Sequence, residues 1–515
     1  MTNGQDNTQH GTRNTQHTMI HKVLVANRGE IAVRVLRTCR ELGLETVAVY
    51  SEADREALHV RYADEAYCIG PPPARESYLQ GERIIQVALQ ADAQAIHPGY
   101  GFLAESPTFA RACAAAGVIF VGPRPETIEL LGDKTAARRL ARQLRLPVLP
   151  GSDHPLDNAG LLAAADRLGY PLLLKAAAGG GGMGIRAVHS RADLEAAIPL
   201  ARREAQAAFG DDALYLERLI EGVRHIEVQL LADACGHVIH LGERECSIQR
   251  RHQKLIEEAP SRALDPTLRQ RLCRAAVRVA RAVHYVGAGT VEFLLDPQKG
   301  FYFLEVNPRL QVEHTVTEAI CGVDIVMEQL RIAAGRELRY AQQDIRPRGW
   351  ALECRILAED PARGFAPSIG RVTRWREPGG PGIRVDSGVG EGVTVTPYYD
   401  SLLAKLVAWG DTRGVAIVRM RRALEEFQIG GVTTNLELHQ ALLNSHRFFG
   451  GQFHTGFLEE GFPLPEPEPE EYRAAALTAA LLDWRRRRGD RPPDGTGANR
   501  WRTFGRWELL GGRDR

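Results

Sequence analysis

From Leu172 to Val188 two short apolar runs flank a glycine-rich loop, and that order argues against a dinucleotide-binding fold. Leu172–Leu174 leads into Lys175, then Gly179–Gly182 and Gly184, then Ile185–Val188. Gly179, Gly181 and Gly184 match G-x-G-x-x-G, but a dinucleotide fingerprint needs a helix directly after the loop to receive the pyrophosphate. Here the second run continues as strand, and no helical period begins until about Leu194. G-x-x-x-x-G-K-[ST] occurs nowhere, so a P-loop is excluded. A strand, glycine loop and strand predict instead a flap whose N–H groups close over phosphates, with Lys175 adding charge at its entrance. Taken alone, the same motif also fits a plain surface hairpin.

A second segment carries more chemistry. Thr290–Leu295 and Phe301–Val306 read as a hairpin around Pro297–Gly300. If Asp296 pairs with Phe301, Glu292 lies opposite Glu305, with Cβ atoms about 4.5–5.5 Å apart, where two bare carboxylates repel. A divalent cation between them relieves the clash, and hard oxygen ligands suit Mg²⁺ or Mn²⁺ bridging substrate phosphates. Asn307 shares the Glu305 face and adds an amide oxygen. An exposed acidic face is the alternative, but the flanking apolar residues favour burial. Directly after, Arg309 can grip a small oxyanion bidentately, Gln311 and the Val312 backbone can orient it, and Glu313 is within reach as a base.

Lysine use points the same way. Arginine is abundant, yet lysine occurs only at Lys22, Lys134, Lys175, Lys254, Lys299 and Lys405. A lysine retained in such a chain marks a place for a compact ammonium, although Lys22 and Lys299 read as chance survivors. Lys254 closes the patch Gln249–Lys254, a surface basic cluster or a second source of cationic and polar ligands for phosphate and a small oxyanion. His225, Glu227 and Gln229 alternate along one strand face and line a nucleotide pocket, unless His225 is a satisfied core residue.

With 515 residues the chain exceeds one core and predicts three or four domains. Its 65 basic and 64 acidic residues, a formal charge of +1, argue against a nucleic-acid partner. Eight scattered cysteines without a CxxC pair read as reduced, mostly buried residues of a cytoplasmic protein, and no run spans a membrane. His21–Tyr50 reads strand, helix, strand, with Gly43 stopping the helix, and Ala95–His97 is a further buried strand, so the opening third is parallel α/β. Leu214–Leu241 and Thr290–Val306 predict antiparallel sheet, and Asp324–Ala334 and Val415–Phe427 predict helices. Residues 1–18 read as a disordered tail, Pro463–Glu471 as a stiff acidic linker, and a short Ala/Leu helix follows it.

These residues, in this order, resemble the biotin carboxylases of the ATP-grasp superfamily. The matching stretches are Ala26–Ala32, His97–Phe102, Gly132–Lys134, the Lys175 flap, Glu217–Ile220, Arg224–Glu227, Gln249–Lys254, Glu292, Glu305–His314, Glu353–Arg355 and Tyr398–Ser401, covering about residues 20–460. The resemblance implies an N-terminal domain over 19–135, an ATP-grasp domain over 136–335 with a lid at about 148–220, and a mixed α+β C-terminal domain over 345–461. Residues 462–515 would be a linker and the start of a further segment.

The resemblance also implies roles. ATP contacts fall at Lys134, Lys175, Glu217, Arg218, Leu219, Ile220, His225, Gln249, His252, Glu292 and Glu305, with Gly181 and Gly182 over the phosphates. The metal ligands are Glu292, Glu305 and Asn307, and the bicarbonate cradle is Lys254, Arg309, Gln311 and Val312. Glu313 is the base, Arg355 steadies the biotin enolate, and Tyr100, Gly101 and Val312 lie beside biotin. Two flap residues depart from the family pattern: Met183 stands where the family commonly has Arg or Lys, and Ala178 replaces a glycine common in some members. No lysine follows a methionine, so the biotin would sit on a separate carrier protein. A carboxyltransferase subunit would be the second partner, and a homodimer is expected. The alternatives are another ATP-grasp ligase, such as a purine-synthesis carboxylase or carbamoyl-phosphate synthetase, and a catalytically silent ATP-binding subunit.

Overall fold

The apolar runs near the N-terminus are too short to pack alone and are joined by helices, so they line up in parallel. Lys22–Val25 (β1) leads to helix Gly29–Glu41 (α1), then Glu45–Ser51 (β2), Glu65–Gly70 (β3), Ala95–His97 (β4) and Ile119–Phe120 (β5). The strands form a parallel sheet in the order β3-β2-β1-β4-β5. Ile31, Val35 and Cys39 of α1 pack on it together with Val23, Val25 and Ala95. Strand order reverses at β1, so a crevice opens at the carboxyl ends of β1 and β4. Asn27 bridges that crevice, donating from Nδ2 to the carbonyls of Pro98 and Tyr100, each at 2.7 Å.

In a computed structural model the described residues are 19–463, apart from 153, 178–184 and 299, together with 476–484. The predicted tail, Gly181, Gly182, Met183 and Ala178 lie outside the described residues. Residues 1–463 form one unit and 464–515 another; in the second, 476–484 are an exposed helix, the Ala/Leu helix expected there.

Helices Lys134–Gln143 (α2) and Asn158–Leu168 (α3) precede the strand–loop–strand Leu172–Ala176 (β6) and Ile185–Val188 (β7). Helix Arg191–Phe209 (α4) and strand Leu214–Arg218 (β8) complete a three-stranded antiparallel sheet, β7-β6-β8. Alternation divides β6: Leu172 and Leu174 join the core with Leu161, Leu194 and Leu214, while Leu173 and Lys175 face a large cavity.

Among the described residues six shorter strands pair in three two-stranded ribbons, and the largest sheet is built from Arg224–Ala232 (β9), Val238–Arg250 (β10), Gln253–Ala259 (β11), Gly287–Leu295 (β12), Phe301–Asn307 (β13), Trp350–Leu357 (β14), Ile383–Ser387 (β15) and Leu402–Gly410 (β16). They pair antiparallel throughout as β13-β12-β9-β10-β11-β14-β16-β15. Helix Pro266–Ala282 (α5) covers one face, where Leu268, Leu272 and Val279 meet Ile226, Val228, Val291 and Phe293. Helices His314–Cys321 (α6), Ile325–Ala333 (α7) and Arg413–Glu426 (α8) complete the described frame.

The β12–β13 hairpin corrects one expectation. Leu295, not Asp296, opposes Phe301, because the turn closes one residue earlier: Gly300 N–H donates to Asp296 Oδ1 at 2.7 Å. The pairing then slips by one between Phe293 and Glu292, with Leu304 as the extra residue of a β-bulge. That slip restores Glu292 opposite Glu305 and turns both Leu304 and Glu305 toward the cavity, while Phe303 and Val306 stay in the core.

Candidate active site

A cavity of about 1140 Å³ lies between the parallel sheet, the β6–β8 layer and the large antiparallel sheet. Of the residues assigned to ATP, metal, bicarbonate or biotin by the resemblance, every one that is described lines it; of the strand-face trio, Glu227 and Gln229 do not.

A row of carboxylates set by strand register runs from the cavity lining into the sheet. Glu305, Glu292 and Glu227 are direct cross-strand neighbours on β13, β12 and β9, and Arg244 of β10 continues the row. Such a row is unstable unless cations enter it, and Lys254 does so from β11. Its Nζ donates to Glu227 Oε2 at 2.6 Å, Glu292 Oε1 at 3.0 Å and Glu313 Oε1 at 2.6 Å. Burial alone would lower the Lys254 ammonium, but Glu227, Glu292 and Glu313 outweigh it and raise it well above the usual range. The carboxylates are therefore not bare, contrary to what the sequence pattern implies. Glu292 also accepts from Asn307 Nδ2 and Gln311 Nε2, each at 2.9 Å, and lies 3.0 Å from His225 Nε2. Lys134 Nζ stands 3.5 Å from Glu305.

Lys254 reaches the row because β10 and β11 are joined through Arg251 and His252, both at positive φ, +47° and +65°. This two-residue turn pairs Gln249 with Lys254 and leaves His252 at the cavity rim. Gln249 Nε2 meets His225 Nδ1 at 2.9 Å, and Gln249, His252, Gln253 and Lys254 line the cavity, whereas Arg250 and Arg251 do not and Arg251 is exposed.

Glu313 precedes α6 and is 2% exposed. Arg355 of β14 donates to it at 3.0 Å and to Glu257 at 2.6 Å. Burial would raise the Glu313 carboxyl, but Lys254, Arg355 and Arg244 hold it well below the usual carboxylate range. Arg309 donates to Asn307 Oδ1 at 3.1 Å and pairs with Glu105 at 2.6 Å. Across the cavity, Lys175 Nζ donates to Glu217 Oε2 at 2.7 Å. Burial opposes ionisation of Glu217, yet Lys175 and Arg138 keep it below its ordinary value. The end of β8 presents Glu217, Arg218, Leu219 and Ile220 to the cavity, and Tyr100 and Gly101 close its opposite side.

Glu227 and Gln229 depart from the expectation of a pocket-lining strand face: both are 0% exposed, Glu227 is held by Lys254 and Arg244, and of the three only His225 lines the cavity. The Gln229 side chain shows why. It turns into a buried network, accepting from Arg244 at 2.7 Å and donating to the Gly289 carbonyl at 3.0 Å. Arg244, 0% exposed and bonded also to Glu227, Gln311, Thr290 and Thr317, is a central residue that sequence reasoning missed. Arg138, Glu105 and Glu257 were missed too. In an arginine-rich chain no compositional signal marks Arg138 or Arg244. Hard oxygen donors at Glu292, Glu305 and Asn307 fit a Mg²⁺ or Mn²⁺ ion, with Lys254 and His225 beside Glu292.

Comparison with known proteins agrees with this frame. Residues 133–341 match the carbamoyl-phosphate synthase L chain ATP binding domain. Residues 19–128 match the biotin carboxylase N-terminal domain, and 353–460 the biotin carboxylase C-terminal domain. Biotin carboxylase 1 of Bacillus subtilis is 51% identical over 443 residues, 86% of this chain and 98% of its own. The 2-oxoglutarate carboxylase small subunit of Hydrogenobacter thermophilus is 50% identical over 470 residues, 90% of this chain and 99% of its own. Among solved structures, the biotin carboxylase domain dimer of that 2-oxoglutarate carboxylase, in complex with MgADP, ADP and bicarbonate, superposes with a TM-score of 0.85 at 51% identity. That likeness covers 87% of this chain and all of the relative's.

A parallel α/β domain, a glycine-loop sheet and a carboxylate-bearing antiparallel sheet together define an ATP-grasp ligase. Within that class the chain belongs to the biotin carboxylases, ATP-dependent ligases of biotin-dependent carboxylase systems. No helix among the described residues is long and apolar enough to cross a membrane.

Proposed function

We propose that this chain carboxylates biotin borne on a separate carrier protein, as the first half-reaction of an acyl-CoA carboxylase. The supporting observation is the convergence of Lys254, Arg309, Glu313 and Arg355 on the Glu292 carboxylate row inside one cavity. Arg309 and Lys254 hold bicarbonate, Gln311 and Val312 orient it, and Glu313 accepts its proton. Lys134, Lys175 and the Glu217–Ile220 segment hold ATP, with His225, Gln249 and His252 on the far wall. Glu292, Glu305 and Asn307 would hold Mg²⁺ or Mn²⁺, which supplies positive charge at the phosphate oxygens when bound.

Attack of a bicarbonate oxygen on the γ-phosphorus gives carboxyphosphate and releases ADP. Carboxyphosphate splits into CO₂ and phosphate inside the closed site, where water would otherwise hydrolyse it. The phosphate removes the biotin N1′ proton, and the enolate, steadied by Arg355 beside Tyr100, Gly101 and Val312, attacks CO₂. Lys254 and Arg355 both bind Glu313, so an incoming anion competes for them and frees the base. A homodimer belongs to the same reading, supported by the dimer of the Hydrogenobacter relative. A carboxyltransferase subunit would choose the acceptor.

Purified protein given ATP, Mg²⁺, bicarbonate and free biotin should release ADP faster with biotin than without. Glu313→Gln should lower that rate by roughly a hundredfold or more while ATP affinity is kept, because the base acts on bicarbonate. An unchanged rate removes Glu313 from the mechanism. Biotin-independent turnover with an amine acceptor, or ATP binding without turnover, refutes the proposal as a whole.

A further inference from the structure

Lys405 lies on β16, between Arg355 of β14 and Asp386 of β15 as its direct cross-strand partners. Its side chain is 0% exposed. An ammonium taken out of water is costly unless its donors are met, and an apolar chain of similar length would fill the same volume without that cost. The three groups it meets come from distant parts of the sequence. Nζ donates to the Val312 carbonyl at 3.0 Å, lies 3.1 Å from Glu30 Oε2 in the first turn of α1, and stands 5.8 Å from the Tyr100 ring centroid. Val312 directly precedes Glu313, and Glu30, Tyr100 and Val312 all line the cavity, whereas Lys405 does not. Among the described residues the Glu30 carboxylate has no hydrogen-bond partner besides this ion pair.

We infer that Lys405 is a positioning residue: its donor on the Val312 carbonyl, anchored by Glu30, sets the Val312–Tyr100 wall at the distance from Arg355 and Glu313 that biotin needs. This rests on the proposed reading of Tyr100 and Val312 as the biotin wall. An ion pair serving only the fold would need Glu30 alone as partner. The bond to a cavity-lining carbonyl, and the place beside Arg355 in the sheet, tie the lysine to the site instead.

The test separates the two roles with Lys405→Met, Glu30→Gln and the double variant, using free biotin as substrate. Lys405→Met leaves Glu30 buried without its partner, so its Tm falls; the double variant is neutral at both positions and should recover most of that loss. If the lysine positions the wall, the double variant keeps a KM for biotin raised roughly ten- to hundredfold, with ATP affinity unchanged by calorimetry. Recovery of both Tm and biotin KM in the double variant overturns the inference, as does an unaltered biotin KM in a folded Lys405→Met. ATP binding lost along with biotin binding also overturns it, since the defect is then general. Absence of biotin-stimulated ADP release in the unsubstituted protein would instead remove the proposed function, and this inference with it.

Discussion

Replacing Lys254 by methionine should reverse the sign of the Glu292 contribution to the pH dependence of stability. The ammonium sits 2.6, 3.0 and 2.6 Å from oxygens of Glu227, Glu292 and Glu313. Removing one member of a buried ion pair costs about 3–5 kcal/mol. The cost is not tripled here, because Arg244 still binds Glu227 and Arg355 still binds Glu313. Glu292 bears most of it, left with two amide donors and His225. For a unit this large the unfolding entropy is roughly 1 kcal/mol/K, so Tm should fall by about 3–5 °C.

In the unsubstituted protein burial disfavours the Glu292 anion, but Lys254 and His225 hold its carboxyl well below the ordinary range. That stabilisation is present above the unfolded value of about 4.3 and is lost as pH falls through the folded one. Without Lys254, burial dominates and the carboxyl moves above its ordinary value. The native state then holds the extra proton, so stability is present at low pH and is lost as pH rises. Scanning calorimetry of both proteins in metal-free buffer should show a Tm deficit that widens from about pH 5.5 to about pH 8. A deficit that is constant across that range, or that narrows, would refute the reasoning.

Lys175→Ala should leave the fold intact, because Arg138 still holds Glu217, but should weaken ATP binding about tenfold or more by calorimetry; unaltered affinity removes Lys175 from the nucleotide contacts. Gly388→Ala should lower Tm by an amount equivalent to about 1–3 kcal/mol, since its methyl would press into the Glu30 nitrogen and the Gly29 carbonyl carbon, backbone atoms of α1 that cannot turn aside. An unchanged Tm would show that the loop shifts freely.

The facing of Glu292 and Glu305 was read correctly because two departures cancel: the turn anchor is displaced by one residue, and the bulge at Leu304, which breaks the alternation of β13, shifts the register back by one. A bulge is a backbone event, and nothing in Phe303, Leu304 or Glu305 announces it. The lysine count found Lys134, Lys175 and Lys254, whose surroundings are named by local motifs. It gave no place to Lys405, whose partners Glu30 and Val312 are distant in sequence. Gln229 was misplaced for a related reason. Alternation gives the face of a strand, but only the packing of Arg244 decides which side chains on that face meet the cavity. The strand–loop–strand order was read correctly from flanking apolar runs and the lack of an immediate helix.

The pairing of β11 with β14 makes the C-terminal third part of the sheet that begins at β9, not an appendage to it. A polypeptide cut shortly before Trp350 would present β11 as an open edge, with Glu257 and Glu258 stripped of Arg355, Trp350 and Arg413. Exchange of that third between homologues, for instance to build chimaeras, therefore has to preserve seam complementarity along β11, since a graft joined only at its linker would leave the recipient prone to aggregate.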